Sequence, residues 1–303
     1  MKMRWLGRIG VGALALSLAV LGGCSSLTGS KASEKITVVG KNFVEQDIMA
    51  NMVGILLEKN TDLDVDIKPF LGGTDVCFNA MKTGNADLYV EYTGTGLVNI
   101  LGMQADSDSE KVYDTVKAEF QKQYQMDWLE PIGFNNTYAL AVTQETAQKY
   151  NLKTISDLKE HAGSLTLGSD QEFIERDDGL KGLEKTYGLH FTNTKAMDSG
   201  LKYTAISAGE VDVVDAFTTD GQLIKHNLVI LEDDQQFFPP YYAAPLVRSD
   251  VLQQHPEIKD VLNKLAGKID DKQMAMLNEK VDVEKQKADD VAEQWLKEQG
   301  LIK

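Results

Sequence analysis

A chain of 303 residues has room for two lobes, each with a core of its own. Its formal net charge of -15 excludes a nucleic-acid partner, whose phosphates such a surface would repel. Beyond that, the charge speaks to solubility rather than to fold.

The chain opens on Lys2, Arg4 and Arg8, an apolar run from Ile9 to Leu21, and then Gly22-Gly23-Cys24. The run is too short to span a bilayer comfortably and has the layout of a secretory leader. Small residues directly before Cys24 resemble the cleavage motif of bacterial lipoproteins. That resemblance implies a signal peptide over 1–23, lipid on Cys24, and a protein held outside the cytoplasm on the cell membrane of a bacterium. An uncleaved N-terminal anchor is the alternative, and it too places the rest of the chain outside the cytoplasm. Residues 24–35 read as a flexible tether, small and polar through "SSLTGSKASE". Cys77 is then the remaining cysteine, so the mature chain has no intramolecular disulfide available, and "DVCFNAM" reads as setting it in the core.

The β-branched run Ile36–Val39 predicts a strand ending at Gly40, and "FVEQDIMANMVGILLEKN" has helical periodicity. A strand over Val65–Phe70, a glycine turn at Gly72-Gly73, a short helix around Val76–Lys82 and a strand over Leu88–Tyr92 follow. Alternating strands and helices predict an α/β architecture with largely parallel sheets, in which ligands lie beyond the carboxyl ends of the strands. Further on, "AISAGEVDVVDAFTTDG" (205–221) aligns without a gap on "AMKTGNADLYVEYTGTG" (80–96), at an offset of 125. Gly84 falls on Gly209, Asp87 on Asp212, Tyr92 on Phe217 and Thr93 on Thr218. One long repeat spacing points to two related lobes rather than a solenoid. After Tyr241 the apolar "AAPLV" reads as a strand, and helical character runs through Trp295. The expected division is lobe I over 36–137 and 243–303 and lobe II over 138–242. Two hinge crossings would then leave a ligand cleft between the lobes.

Loops expected at that cleft carry Tyr92, Tyr138, Phe217 and Tyr241. A trimethylammonium group offers no N–H donor, so a site must hold it by contact and field. Aromatic faces supply both, at about 0.5–2 kcal/mol per ring. Any one of these rings alone reads better as core packing; the cage reading rests on four of them at strand ends or turns. Lys41 after the first strand and Arg176 in "EFIERDDGL" suit a carboxylate, Arg by two hydrogen bonds and Lys as a point charge, unless both are solvated surface residues. Thr95 and Thr218 offer hydroxyl donors, and a helix starting after Gly72-Gly73 offers backbone N–H groups. Asp75 reads either as a charge at that helix start or as part of the site.

The set "KNFVEQ", "GGTDV", "LYVEYTGTG", "FNNTYALAV", "EFIERDDGL", "FTTDGQL" and "FFPPYYAAP", in this order, resembles the glycine betaine/carnitine/choline-binding proteins of ABC importers. The likeness covers nearly the whole chain after the tether. It implies a type II periplasmic-binding-protein-like fold and a receptor for a quaternary ammonium osmoprotectant. The receptor would act as a monomer and deliver its ligand to an ABC permease with its ATPase. By motif, the resemblance places the ring cage on Tyr92, Tyr138, Phe217 and Tyr241 and the carboxylate contacts on Lys41, Thr95 and Arg176. Phe217 departs from the tyrosine of several betaine binders, and "FTTDGQL" is similar to a branch of the family that takes up ergothioneine. An ordinary amino acid is the other ligand alternative. Four scattered histidines (His161, His190, His226 and His255), no HExxH pair and no GxxxxGK[ST] loop argue against an enzyme, and no metal or cofactor is expected.

Overall fold

The structure is a computed structural model that describes residues 35–303; the leader, Cys24 and the tether up to Glu34 lie outside the described residues. Among these, β1 (Lys35–Lys41), β2 (Asp64–Gly72), β3 (Leu88–Tyr92) and β4 (Met126–Trp128) join β10 (Ala243–Arg248) in one five-stranded sheet, ordered β2-β1-β3-β10-β4. A second holds β5 (Tyr138–Thr143), β6 (Thr166–Ser169), β7 (Asn193–Ala196), β8 (Val213–Phe217) and β9 (Leu228–Leu231), ordered β7-β6-β8-β5-β9. The fold is therefore mixed α/β, as the alternation of elements predicts.

The sheets are less parallel than expected. β1 runs parallel to β2 and β3, and β6 parallel to β7 and β8. However, β10 is antiparallel to β3 and β4, and β5 to β8 and β9. The two reversed strands are those that follow the long passages between sheets. A local strand–helix alternation carries no information about them.

The helix α1 (Val44–Asn60) follows the periodicity of its sequence, with Ile48, Met49, Met52, Val53, Leu56 and Leu57 fully buried. These positions, spaced by one, three and four residues, make an apolar face wide enough to pack on the sheet and on the C-terminal helices at once. The short helix α2 (Thr74–Lys82) opens on Gly73, with Asp75 in its first turn and Lys82 in its last, in keeping with the helix dipole. On its inner face Cys77 is fully buried, and burial pushes its thiol up to about 12.

The repeat is visible atom by atom. Asp87 N donates to Thr37 O at 2.9 Å while Thr37 N donates to Asp87 Oδ2 at 2.7 Å. In the second sheet Asp212 N donates to Thr166 O at 2.9 Å while Thr166 N donates to Asp212 Oδ2 at 2.8 Å. Gly84 and Gly209, at φ +72° and +73°, make the left-handed turn that brings each aspartate back to its strand. The aspartate ties the start of β3 or β8 to its neighbour, and so sets the level at which that strand ends. Tyr92 and Phe217 are the last residues of these two strands.

Candidate ligand-binding cleft

Register carries the rings to one place. Phe217 ends β8 directly opposite Tyr138, the first residue of β5, and Tyr92 ends β3 opposite Ala243, close behind Tyr241. The Tyr138 and Phe217 ring centroids are 4.7 Å apart, and Tyr241 meets Tyr138 edge-on at 5.7 Å. Phe43, at the N-cap of α1, stacks on Phe217 at 5.4 Å and on Tyr92 at 6.3 Å, which links the rings of the two sheets. Gly94 makes room for this packing: a Cβ there would stand 2.7 Å from two Tyr241 ring carbons and 2.9 Å from Pro240 O.

All five rings line a cavity of about 850 Å³. Lys41, Asp75, Thr95 and Arg176 line it as well, so eight of the nine ligand-contact residues expected from sequence share one space. Thr218 is the exception. It is exposed and outside the cavity wall; its hydroxyl accepts from Thr137 N at 3.1 Å and donates to Asn135 O at 3.2 Å. Sequence reasoning missed Phe43 and Asn136. Asn136 lies at the cavity, nearly buried, with an Oδ1 that has no protein partner. Both sit inside the motifs "KNF" and "FNNTY", but neither position follows a strand or helix period.

The rings are chemically prepared for a cation. The Tyr92 hydroxyl donates to Glu45 Oε1 at 2.7 Å and that of Tyr241 to Asp178 Oδ2 at 2.7 Å. Donation to a carboxylate adds electron density to a phenol ring and strengthens its attraction for positive charge. Burial raises the Tyr92, Tyr138 and Tyr241 phenols well above their usual range, so all three stay neutral.

Both cations arrive already paired. Lys41 Nζ donates to Glu91 Oε1 at 2.6 Å and to Thr74 Oγ1 at 2.9 Å. Arg176 forks onto Asp178 through Nε at 2.7 Å and an Nη at 2.5 Å, reaches Glu172 at 3.1 Å, and bonds Thr95 Oγ1 across the cavity at 3.1 Å. Its guanidinium also lies 5.4 Å from the Tyr138 centroid. The N-terminus of α2, expected to meet a ligand, faces Glu172 instead, with Thr74 N donating to Oε2 at 3.3 Å. Burial works against the Glu172 charge, but Lys41 and Arg176 outweigh it and hold the carboxyl below its usual value. Acidic side chains, Asp75, Asp170, Glu172, Glu175 and Asp198, outnumber Lys41 and Arg176 on the cavity wall. Among the described residues no cluster of His, Cys, Asp or Glu is arranged to hold a metal ion, and no helix is long and apolar enough to cross a membrane.

Two α/β sheets whose strand ends meet at a ring-lined cavity define a solute-binding protein of the type II periplasmic class. Residues 34–298 match the OpuAC family, described as the substrate binding domain of ABC-type glycine betaine transport systems, and the chain belongs to that family. It is a family of transport receptors, not of enzymes. The carnitine transport binding protein OpuCC of Listeria monocytogenes is 38% identical over 305 residues, covering 100% of this chain and 99% of that protein. The ergothioneine transport permease/binding protein EgtU of Helicobacter pylori is 38% identical over 270 residues, 88% of this chain and 48% of that protein. A crystal structure of a glycine betaine/carnitine/choline ABC transporter protein superposes with a TM-score of 0.71 at 35% identity, covering 88% of this chain and 99% of its own.

Proposed function

We propose that this protein is the extracytoplasmic receptor of an ABC importer for a quaternary ammonium compatible solute: glycine betaine, carnitine or choline. The observation that carries the reading is the convergence of Phe43, Tyr92, Tyr138, Phe217 and Tyr241 on one cavity beside Arg176 and Lys41. The rings hold the trimethylammonium head by π-face contact. Arg176, with Thr95 and Lys41, receives the carboxylate of a betaine, exchanging part of its hold on Glu172 and Thr95 for the ligand. Asp75 stands at the rim as a further charge. In this reading 36–137 with 243–303, and 138–242, act as two lobes that close on the ligand. The leader 1–23 is removed, lipid on Cys24 holds the protein to the bacterial membrane by the tether, and the closed monomer docks on a permease with its ATPase.

Among these three, the excess of carboxylates on the wall favours a quaternary ammonium that carries net positive charge, which is choline. Calorimetric titration with glycine betaine, carnitine, choline and proline at matched concentrations tests both. Binding of one or more of the three quaternary compounds, with none of proline, is the expected result. Proline binding at comparable affinity would refute the cage.

A further inference from the structure

Behind the rings lies a carboxylate that direct ligand contact does not use. Glu45, in the first turn of α1, is 3% exposed and takes four hydrogen bonds, none of them from a lysine or arginine. Its Oε1 accepts from Tyr92 Oη at 2.7 Å and Asn136 Nδ2 at 2.7 Å. Its Oε2 accepts from Thr219 Oγ1 at 2.6 Å and Asn278 Nδ2 at 3.0 Å. A position in the first turn of α1 favours a carboxylate there, against burial, which raises its carboxyl above the usual value. It does not explain why donors from four other segments converge on it.

One of those segments must come up against the other three if the cavity closes. Tyr92 ends β3 in the first sheet, Asn136 lies on the passage into β5, Thr219 follows β8 in the second sheet, and Asn278 sits in the helix Asp271–Asp282. Asn278 Nδ2 donates also to Thr219 O at 2.9 Å, so two acceptors fix which end of that amide faces Glu45. Thr219 and Asn278 are 1% and 2% exposed, so a bond lost there is not replaced by bulk water without opening the structure.

We propose that Glu45 is a positioning residue that couples closure of the cleft to assembly of the cage. Its Thr219 arm forms only when the second sheet stands against the first, and the same carboxylate then fixes the Tyr92 hydroxyl and with it one cage wall. The inference rests on the cleft reading above, but its mechanism is carried by the hydrogen bonds rather than by the ligand.

The experiment uses spin labels on Asn79 in α2 and Lys195 in β7, both exposed, and measures their distance distribution by pulsed dipolar spectroscopy with and without glycine betaine. Thr219→Val, which removes one hydroxyl, is expected to shift the distribution to longer distances and to weaken glycine betaine about tenfold, the loss of roughly one buried hydrogen bond, and Glu45→Ala, which removes the acceptor of four, at least as much. Glu45→Gln is expected to restore the wild-type distribution. Its amide oxygen can still accept from Thr219 and Asn278, while its NH2 meets Asn136 only once that side-chain amide turns over and leaves the Tyr92 hydroxyl without its acceptor, so the distances recover while the affinity does not fully. Wild-type distances in both Thr219→Val and Glu45→Ala, with only the melting temperature lowered, would reduce Glu45 to a fold-stabilising role and overturn the proposal. So would a Glu45→Gln protein as open as Glu45→Ala. If Glu45→Ala does not fold, Thr219→Val decides alone. If the wild type does not bind glycine betaine, that ligand fails, while the ligand-free distances still judge Glu45.

Discussion

Replacing Tyr138 by leucine separates what the ring contributes as volume from what it contributes as an electron-rich face. Tyr138 is 5% exposed and touches Phe217 at 4.7 Å, Phe173 at 5.0 Å and Tyr241 at 5.7 Å. Leucine refills much of that space, so the fold should lose about 1–3 kcal/mol rather than the larger cost of truncation to alanine. Arg176 loses its stacking partner but keeps Asp178, Glu172 and Thr95, so the carboxylate side of the site stays in position. What remains is the lost cation–π attraction, about 0.5–2 kcal/mol, or about 2- to 30-fold in Kd. Calorimetry with a quaternary ammonium ligand reads the affinity, and thermal melting reads the stability in the same preparation. A Tyr138→Leu protein that melts lower but binds with unchanged Kd would show that the ring is core packing and no part of a cage.

Two further perturbations follow from the geometry. Gly94→Ala drives a methyl group against the Tyr241 ring and should displace it from Asp178, weakening ligand about tenfold or more while costing only a few degrees of melting temperature; unchanged affinity would mean that Tyr241 is not a wall of the site. Burial first, and Asp215 second, raise the Asp170 carboxyl to about 7 against the pull of Lys202. A carboxyl raised on folding stabilises the protein at low pH and loses that contribution as pH climbs through its folded value. The melting advantage of the wild type over Asp170→Asn should therefore shrink between about pH 4 and pH 7 and level off above. An advantage that grows over that window would contradict the assignment.

Much of the site is legible in the chain because strand ends are. Tyr92 and Phe217 occupy equivalent positions of a repeat, and an aromatic residue that closes a strand in an α/β protein has little choice but to face the loops beyond it. Thr218 shows the limit of that logic. It follows Phe217 by one residue, and the alternation of a strand turns it to the other side, away from the cavity. Thr95, by contrast, lies three residues past Tyr92 in the helical turn Thr95–Ile100, which returns it to the cavity wall.

The electrostatics were the least legible part. Lys41 pairs with Glu91, 50 residues away, and Thr74 N meets Glu172 at a separation of 98. No local pattern announces either contact. From sequence the two cations read as waiting for a ligand carboxylate; in the structure each already has carboxylate partners, and a ligand must compete for them. Phe43 escaped notice because an N-cap position has no period of its own. The direction of β5 and β10 escaped it because it depends on the two long passages between sheets.

The central claim is that the rings read positive charge and not merely a branched apolar shape. Its most direct test is calorimetry of the tightest-binding quaternary ammonium compound against its tert-butyl carbon isostere, which for glycine betaine is tert-butylacetic acid. The two share shape and carboxylate and differ in the charge at the head. Several rings at about 0.5–2 kcal/mol each predict that the cation binds at least about tenfold tighter. Equal affinity for the isostere with the uncharged head would contradict the account.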